Sequence, residues 1–74
     1  MTGERLRELR KKKGYTQIKI QLLTGIDQSD YSKIENGTRY PTVEQAKRLA
    51  KALDTSTDFI FLLTDEIKPY SRSE

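Results

Sequence analysis

The sequence predicts an all-α fold, a compact domain built from five short helices. Its 74 residues suffice for a single small domain. No stretch alternates apolar and polar residues between turn signals as a β-strand does. Glycines and capping residues instead divide the chain into short segments whose apolar residues stand three or four apart. We expect a domain over residues 1–64, followed by a polar, flexible tail over residues 65–74.

The first two helices are delimited by glycines. Leu6 and Leu9 form a narrow apolar stripe on the first helix, which Gly14 ends. Thr16 is a suitable N-cap for the second helix, and Gly25 closes it after about eight residues. The apolar residues of this second helix are Ile18, Ile20, Leu22 and Leu23.

The third helix is expected over residues 27–36. Asp27 can cap its N-terminus, while Tyr31 and Ile34 form its inward side. We assign Asp30, the third helical residue, to an inward or sideways position. The polar residues on the other side are Gln28, Ser29, Ser32 and Lys33.

The fourth helix has the clearest amphipathic pattern. Thr42 and Gln45 form the two halves of a capping box at its start. The apolar residues that follow at helical spacing are Val43, Ala46, Leu49, Ala50 and Leu53.

The last helix, expected over residues 56–63, contains the candidate partner surface. The side chains expected in the core are Phe59, Leu62 and Leu63. Ile60 and Phe61 then point elsewhere and suggest a dimer or partner surface. The alternative is that Ile67 and Tyr70 of the tail fold back over this pair.

Composition excludes several classes of function. The chain has no cysteine and no histidine, so disulfides, thiolate metal sites and the usual general base are absent. There is no glycine-rich phosphate loop and no spacing that pairs a nucleophile with a base. We therefore expect no enzyme activity, no catalytic residue, no metal site and no cofactor. The longest apolar run has five residues, where a membrane span needs about 20, so we expect a cytoplasmic protein without membrane contact.

Positive charge is concentrated near the N-terminus. The net charge is +3, and residues 1–20 hold seven basic and two acidic residues. Such a cluster is expected where one face meets a polyanion. A solvated helix face is the alternative, and it is the better interpretation of charge taken alone.

The second and third helices together suggest DNA recognition. Two helices this short, joined through a glycine, are similar to a helix-turn-helix whose second helix projects outward. The polar side of that helix suits the major groove, where Gln28 can pair with adenine and Lys33 with guanine. Ser29 and Ser32 can donate or accept hydrogen bonds. On these four residues alone, an ordinary solvent-exposed face is the better interpretation.

A set of motifs runs through this region: Gly14-Tyr15-Thr16-Gln17, Gly25-Ile26-Asp27-Gln28-Ser29 and Ser32-Lys33-Ile34-Glu35-Asn36-Gly37, then Arg39 and Pro41. At this spacing they resemble the lambda-repressor-like (Cro/repressor, XRE-type) helix-turn-helix family, and the similarity extends over roughly residues 3–63. The resemblance implies the family's five-helix fold. It also implies sequence-specific binding of double-stranded DNA by a prokaryotic or phage transcriptional regulator, commonly a repressor at the nucleoid.

The resemblance also implies roles for individual residues. The base contacts would come from Gln28, Ser29, Ser32 and Lys33. The phosphate contacts would come from Thr16, Gln17, Asn36, Arg39 and Tyr40. The residues that would form an internal ion pair between the first and third helices are Arg10 and Glu35.

The second helix departs from the family pattern. Gln21 stands where a small alanine is common, and Thr24 stands where an apolar residue is usual. Either the packing between the two helices shifts, or the Gln21 side chain bends out along the surface.

Partners follow from the same resemblance. Family members usually bind as two-fold dimers to palindromic half-sites about 34 Å apart. A homodimer on a palindromic operator is therefore one expectation, and a dimer that forms only on DNA is another. The alternative function is an antitoxin or small adaptor that mainly binds another protein, with Ile60, Phe61 and the tail as its partner site.

Overall fold

The computed structural model describes residues 2–69, and within them it contains five helices and no strand. The helices are α1 (Thr2–Lys12), α2 (Gln17–Thr24), α3 (Gln28–Glu35), α4 (Val43–Ala52) and α5 (Thr57–Ile60). The predicted all-α fold is thus confirmed. The part of the predicted tail beyond Pro69, including Tyr70, lies outside the described residues.

The helix ends follow the predicted capping residues. Thr16 accepts a hydrogen bond from the backbone N–H of Lys19 at 3.0 Å, and Asp27 accepts one from that of Ser29 at 3.1 Å. The capping box at the start of α4 has both of its hydrogen bonds. Gly25 adopts a left-handed φ of 77° after α2, a conformation that favours glycine. Local sequence signals therefore set where the helices begin and end.

The helices enclose one apolar core. α3 packs against both α1 and α2, while α4 packs against α2 and α5. The buried apolar side chains are Leu6, Leu9, Ile20, Ile26, Tyr31, Ile34, Ala46, Leu49, Ala50, Leu53 and Ile60. α3 is therefore held on one side by two neighbouring helices.

Gly3 permits an unusually close approach between α1 and the end of α3. A Cβ atom at this position would lie 2.3 Å from the carbonyl oxygen of Glu35 and 2.5 Å from that of Ile34. Real Cβ atoms do not come this close to backbone, so any larger residue would push the two helices apart. Periodicity did not predict this requirement, because it depends on a neighbour distant in the sequence.

The prediction for the last helix is corrected by the structure. α5 ends at Ile60, and Leu62 then adopts a left-handed φ of 67° that turns the chain away. Ile60 is fully buried in the core, so it cannot form the predicted partner surface. Leu62 and Leu63, predicted to be in the core, are exposed, whereas Phe61 is half-buried against it. The helix is one turn long, so the periodicity extrapolated to residue 63 does not apply.

The chain after α5 is fastened to α1 by Arg5. Its guanidinium lies 4.1 Å from the ring centre of Phe59 and donates to the carbonyl oxygens of Phe59 (2.8 Å) and Thr64 (2.7 Å). It also pairs with Asp65 at 2.7 Å. Ile67 packs against the core, and its carbonyl accepts a hydrogen bond from the Thr55 hydroxyl. Ile67 thus folds back onto the core, while Tyr70, the other residue of that expected alternative, lies outside the described residues.

Candidate nucleic-acid interface

α3 has a buried side and a hydrophilic side. Tyr31, Ile34 and Glu35 are buried. The four residues predicted to contact bases lie on the other side, where Ser29 and Lys33 are exposed and the remaining two are half-buried. The structure thus leaves this side of α3 open to a partner. These four residues are Gln28, Ser29, Ser32 and Lys33.

The start of α3 is held by side chains from both helices of the pair. The Ser29 hydroxyl donates to Asp27 at 2.6 Å, and this bond, with the Ser29 backbone N–H, lowers the pKa of Asp27. The side-chain oxygen of Gln21 accepts a hydrogen bond from the backbone N–H of Gln28 at 2.7 Å. Gln21 therefore bridges α2 and α3. Its amide satisfies a backbone donor that the helix geometry leaves unpaired.

A line of hydrogen bonds connects the outward side of α3 with α1. The Gln28 amide donates to the side-chain oxygen of Gln17 at 3.3 Å, and the Gln17 amide donates to Glu35 at 3.1 Å. Glu35 in turn accepts two hydrogen bonds from Arg10, at 2.6 and 3.1 Å. A predicted base contact and a predicted phosphate contact are therefore oriented by the same buried carboxylate.

The Arg10–Glu35 pair at the end of this line is internal. Glu35 is only 4% exposed. Burial would raise its pKa, but the hydrogen bonds from Arg10 and Gln17 outweigh burial and hold that pKa below the ordinary value. Arg10 also donates to the carbonyl of Tyr15 at 2.9 Å. The nearby Tyr31 hydroxyl is buried, and its pKa is raised first by burial and then by the neighbouring Glu35 carboxylate.

The remaining predicted phosphate contacts lie at the edges of α2 and α3. Thr16 is the exposed N-cap of α2. Asn36 is exposed after α3, and its side-chain oxygen accepts the backbone N–H (3.2 Å) and the hydroxyl (2.9 Å) of Thr38. These bonds shape the loop that leads to Arg39. Tyr40 is exposed, with its ring centre 6.5 Å from that of Phe61.

Arg39 reaches back along α3 to Asp30. Its guanidinium lies 2.9 Å from the Asp30 carboxylate, and the two side chains are 50% and 37% exposed. Asp30 therefore lies sideways on α3, as assigned from the sequence, and its charge is balanced by a predicted phosphate contact. This pairing was not predicted, since the two residues stand nine positions apart in different elements.

The basic cluster of residues 1–20 is divided by the fold. Arg5 and Arg10 are used in contacts within the protein. Lys11, Lys12 and Lys13 remain exposed at the end of α1. Charge counted along the sequence therefore overstates the charge that is free to meet a polyanion.

Residues 2–69 show no sign of a metal centre or a membrane span. They contain no group of three or more acidic, histidine or cysteine side chains arranged to hold a metal ion. None of their helices combines the length and apolar character needed to cross a bilayer.

Comparison with known proteins identifies the family. A helix-turn-helix family model matches residues 6–60. A prophage-derived HTH-type transcriptional regulator of Bacillus subtilis is 38% identical over 60 residues, which are 81% of this chain and 56% of that protein. An uncharacterised HTH-type regulator of Sinorhizobium fredii is 36% identical over 66 residues, covering 89% of this chain and 86% of its own length. The chain thus spans about half of the first relative and most of the second.

Solved structures show the same architecture. The DNA-binding domain of SinR from Bacillus subtilis superposes with a TM-score of 0.79 at 27% identity, covering 82% of this chain and 90% of that domain. The P22 c2 repressor, solved in complex with a synthetic operator, gives a TM-score of 0.78 at 32% identity, covering 81% of this chain and 91% of that one.

Proposed function

The chain belongs to the helix-turn-helix family, and on that premise we propose that it regulates transcription by sequence-specific binding of double-stranded DNA, with α3 in the major groove. The observation that carries this proposal is that α3 is buried on one side and open on the other. Tyr31 and Ile34 anchor the helix in the core, while its polar side stays open. A helix presented in this way fits the width of the major groove and can reach base edges. The P22 c2 repressor, a structural neighbour, is itself solved with an operator.

Within this proposal, the residues of α3 have different tasks. Gln28 has its amide oriented by Gln17 and is the strongest candidate for a bidentate contact to adenine. Lys33 is a candidate for guanine, and Ser29 and Ser32 allow close approach. The proposed phosphate contacts, which set register and salt dependence, are Thr16, Gln17, Asn36, Arg39 and Tyr40.

Two copies are needed for high specificity, because one module of this size covers limited DNA surface. We propose that they bind two half-sites of a palindromic operator, about 34 Å apart. The comparisons favour this regulatory role over the antitoxin or adaptor alternative, because the relatives described above are named as transcriptional regulators. A repressor needs no covalent chemistry, and DNA as its partner implies a cytoplasmic, nucleoid-associated location.

The proposal is tested by selecting bound duplexes from a random pool and measuring affinity for the selected and a scrambled duplex. Gln28→Ala should weaken binding to the selected duplex by about 1–3 kcal/mol while leaving scrambled DNA nearly unaffected. Lys47→Ala, on the exposed side of α4, is the control and should keep the ratio of the two affinities. An equal loss by Gln28→Ala on both duplexes would remove its base-reading role, and failure to enrich any duplex would refute sequence-specific binding.

A further inference from the structure

One face of α2 exposes apolar side chains beside a groove. Ile18, Leu22 and Leu23 are all substantially exposed, and Leu22 reaches 74%. Leu23 also lines a groove of about 520 Å³ between α2 and α4. Three exposed apolar side chains on one short helix of a small domain point to an interaction site. The groove is lined by Tyr15, Leu23, Thr24, Arg48, Lys51 and Ala52, none of which is among the proposed DNA contacts.

The rim of this groove is cationic. Arg48 donates a hydrogen bond to the Thr24 carbonyl at 3.2 Å and forms an ion pair with Glu44 at 3.2 Å. Lys51 has no ion pair with any residue in the described range 2–69. Lys19 stands 6.0 Å from the ring centre of Tyr15. An occupant should therefore carry both apolar side chains and carboxylates.

The segment of residues 62–66 has this composition. Leu62 and Leu63 are exposed, Leu63 at 73%, because the left-handed turn at Leu62 directs the chain away from the core. Asp65 and Glu66 follow directly and are exposed as well. We call residues 62–66 the acidic segment. It combines two exposed leucines with the carboxylate of Glu66, while that of Asp65 is paired with Arg5, and in this it complements the groove.

The acidic segment is kept away from the groove of its own molecule. Arg5 of α1 holds the Thr64 carbonyl and the Asp65 carboxylate. α5, which leads into the segment, packs against α1 and α4, whereas the groove lies between α2 and α4. An intramolecular contact would have to break the Arg5 bonds, so the acidic segment is available to the groove of another molecule and not to its own.

We propose that the acidic segment of one copy docks into the α2/α4 groove of a second copy. Leu62 or Leu63 enters the groove beside Leu23, and Glu66 faces Lys51. Made once between two copies, the contact is head-to-tail and leaves one acidic segment and one groove free, so it can repeat from copy to copy. It therefore joins copies bound in the same orientation, such as one copy from each of two neighbouring operators.

A contact made by so few residues is weak in free solution. It is smaller than the roughly 1,600 Å² of a standard stable interface. Neighbouring DNA sites raise the effective concentration of the two surfaces, so the contact appears there as cooperative binding. This consequence on DNA rests on the proposed function, whereas self-association in solution does not.

The experiment is sedimentation equilibrium of the whole chain without DNA, from micromolar to millimolar concentration. The native chain should show concentration-dependent association. Lys51→Glu and Glu66→Lys should each weaken it about tenfold, because each places like charges opposite one another. Lys47→Glu has the same charge change on the exposed side of α4 outside the groove, and it should weaken association markedly less.

Charge exchange gives the decisive result. Combining Lys51→Glu with Glu66→Lys should recover most of the association, and mixing the two single variants should do the same. A chain that stays monomeric throughout would overturn the proposal. An unchanged association in Lys51→Glu would also overturn it, because it would indicate two-fold pairing through the acidic segment alone. A double variant that does not recover association would overturn it as well.

The DNA assay separates this proposal from the proposed function. Both single variants should bind an isolated half-site with nearly native affinity but lose cooperativity on two sites in tandem. Binding to an isolated half-site with no association in solution would reject the head-to-tail contact alone. Association without sequence-specific DNA binding would reject the proposed function alone.

Discussion

Two arginine–carboxylate pairs flank α3, and they differ in burial more than in distance. Arg10 and Glu35 lie 2.6 Å apart with side chains 13% and 2% exposed, whereas Arg39 and Asp30 lie 2.9 Å apart with side chains 50% and 37% exposed. The buried pair has little access to water or to a partner. The exposed pair can exchange its protein contact for a solvent ion or a phosphate at low cost.

This difference assigns opposite roles to chemically similar pairs. Removing one member of a buried pair leaves the other charge unpaired and poorly solvated, so the intact pair stabilises the fold. An exposed pair contributes little to stability. The Asp30 carboxylate instead holds Arg39 beside α3, and under the proposed function a phosphate would replace it. Distance alone therefore does not show which arginine is available to DNA.

The largest expected effect comes from breaking the buried pair. Glu35→Ala should lower the free energy of unfolding by about 3–5 kcal/mol, because Arg10 then loses its partner. Urea denaturation measures this change. Asp30→Ala is the matched control and should cost about 1 kcal/mol or less. Equal losses in the two variants would show that burial does not separate the pairs.

The buried pair also predicts an acid dependence. The pKa of Glu35 is lower in the folded protein than its ordinary value of 4.5. Its contribution to stability is therefore present above about pH 4.5 and is lost as the pH falls through the folded pKa. In Glu35→Gln, urea midpoints measured over this range should fall less steeply with decreasing pH. An unchanged slope would assign the acid sensitivity to other carboxylates.

The next effect concerns the junction that surrounds the buried pair. Gly3→Ala should destabilise the protein by about 1–3 kcal/mol, since its Cβ would overlap the backbone oxygens of Ile34 and Glu35. Glu8→Ala, at an exposed position of α1, is the control and should lie within about 0.5 kcal/mol of the native chain. Thermal unfolding measures both. A neutral Gly3→Ala would mean that α1 can move away from α3 freely.

The smallest effect on stability is expected at the exposed pair, where the change should appear in DNA binding instead. Arg39→Ala should leave urea unfolding nearly unchanged but weaken binding to the selected and the scrambled duplex alike. It should also reduce the slope of log affinity against log salt by about one, as for the loss of one phosphate contact. An unaltered slope would show that Arg39 stays with Asp30 when DNA binds.

Local signals in the sequence predicted much of the fold. Thr16, Asp27 and Thr42 cap helices where expected, and Gly25 ends α2 in the left-handed conformation. The polar side of α3 follows from the positions of Tyr31 and Ile34. These features depend on residues a few positions apart, and the physics of capping and helical periodicity acts over that range.

The end of the domain was predicted less well. Apolar residues run without interruption from Phe59 to Leu63, so periodicity has no contrast from which to separate inward from outward positions. In the structure Ile60 is buried in the core, and the left-handed turn at Leu62 leaves Leu62 and Leu63 exposed. The bridge from Gln21 to α3 was likewise beyond local reasoning, because a glutamine at this position gives no signal of its distant acceptor role.

The sequence by itself determined the first four helices, their caps and the polar side of α3, because these follow from interactions between near neighbours along the chain. The tertiary structure decided which charges are internal and which are free. Arg5 and Arg10 belong to the basic cluster but bind the protein itself, while Arg39 is held at the surface by Asp30. The reason is that solvation and partner distance depend on packing between helices, which residue order alone does not specify.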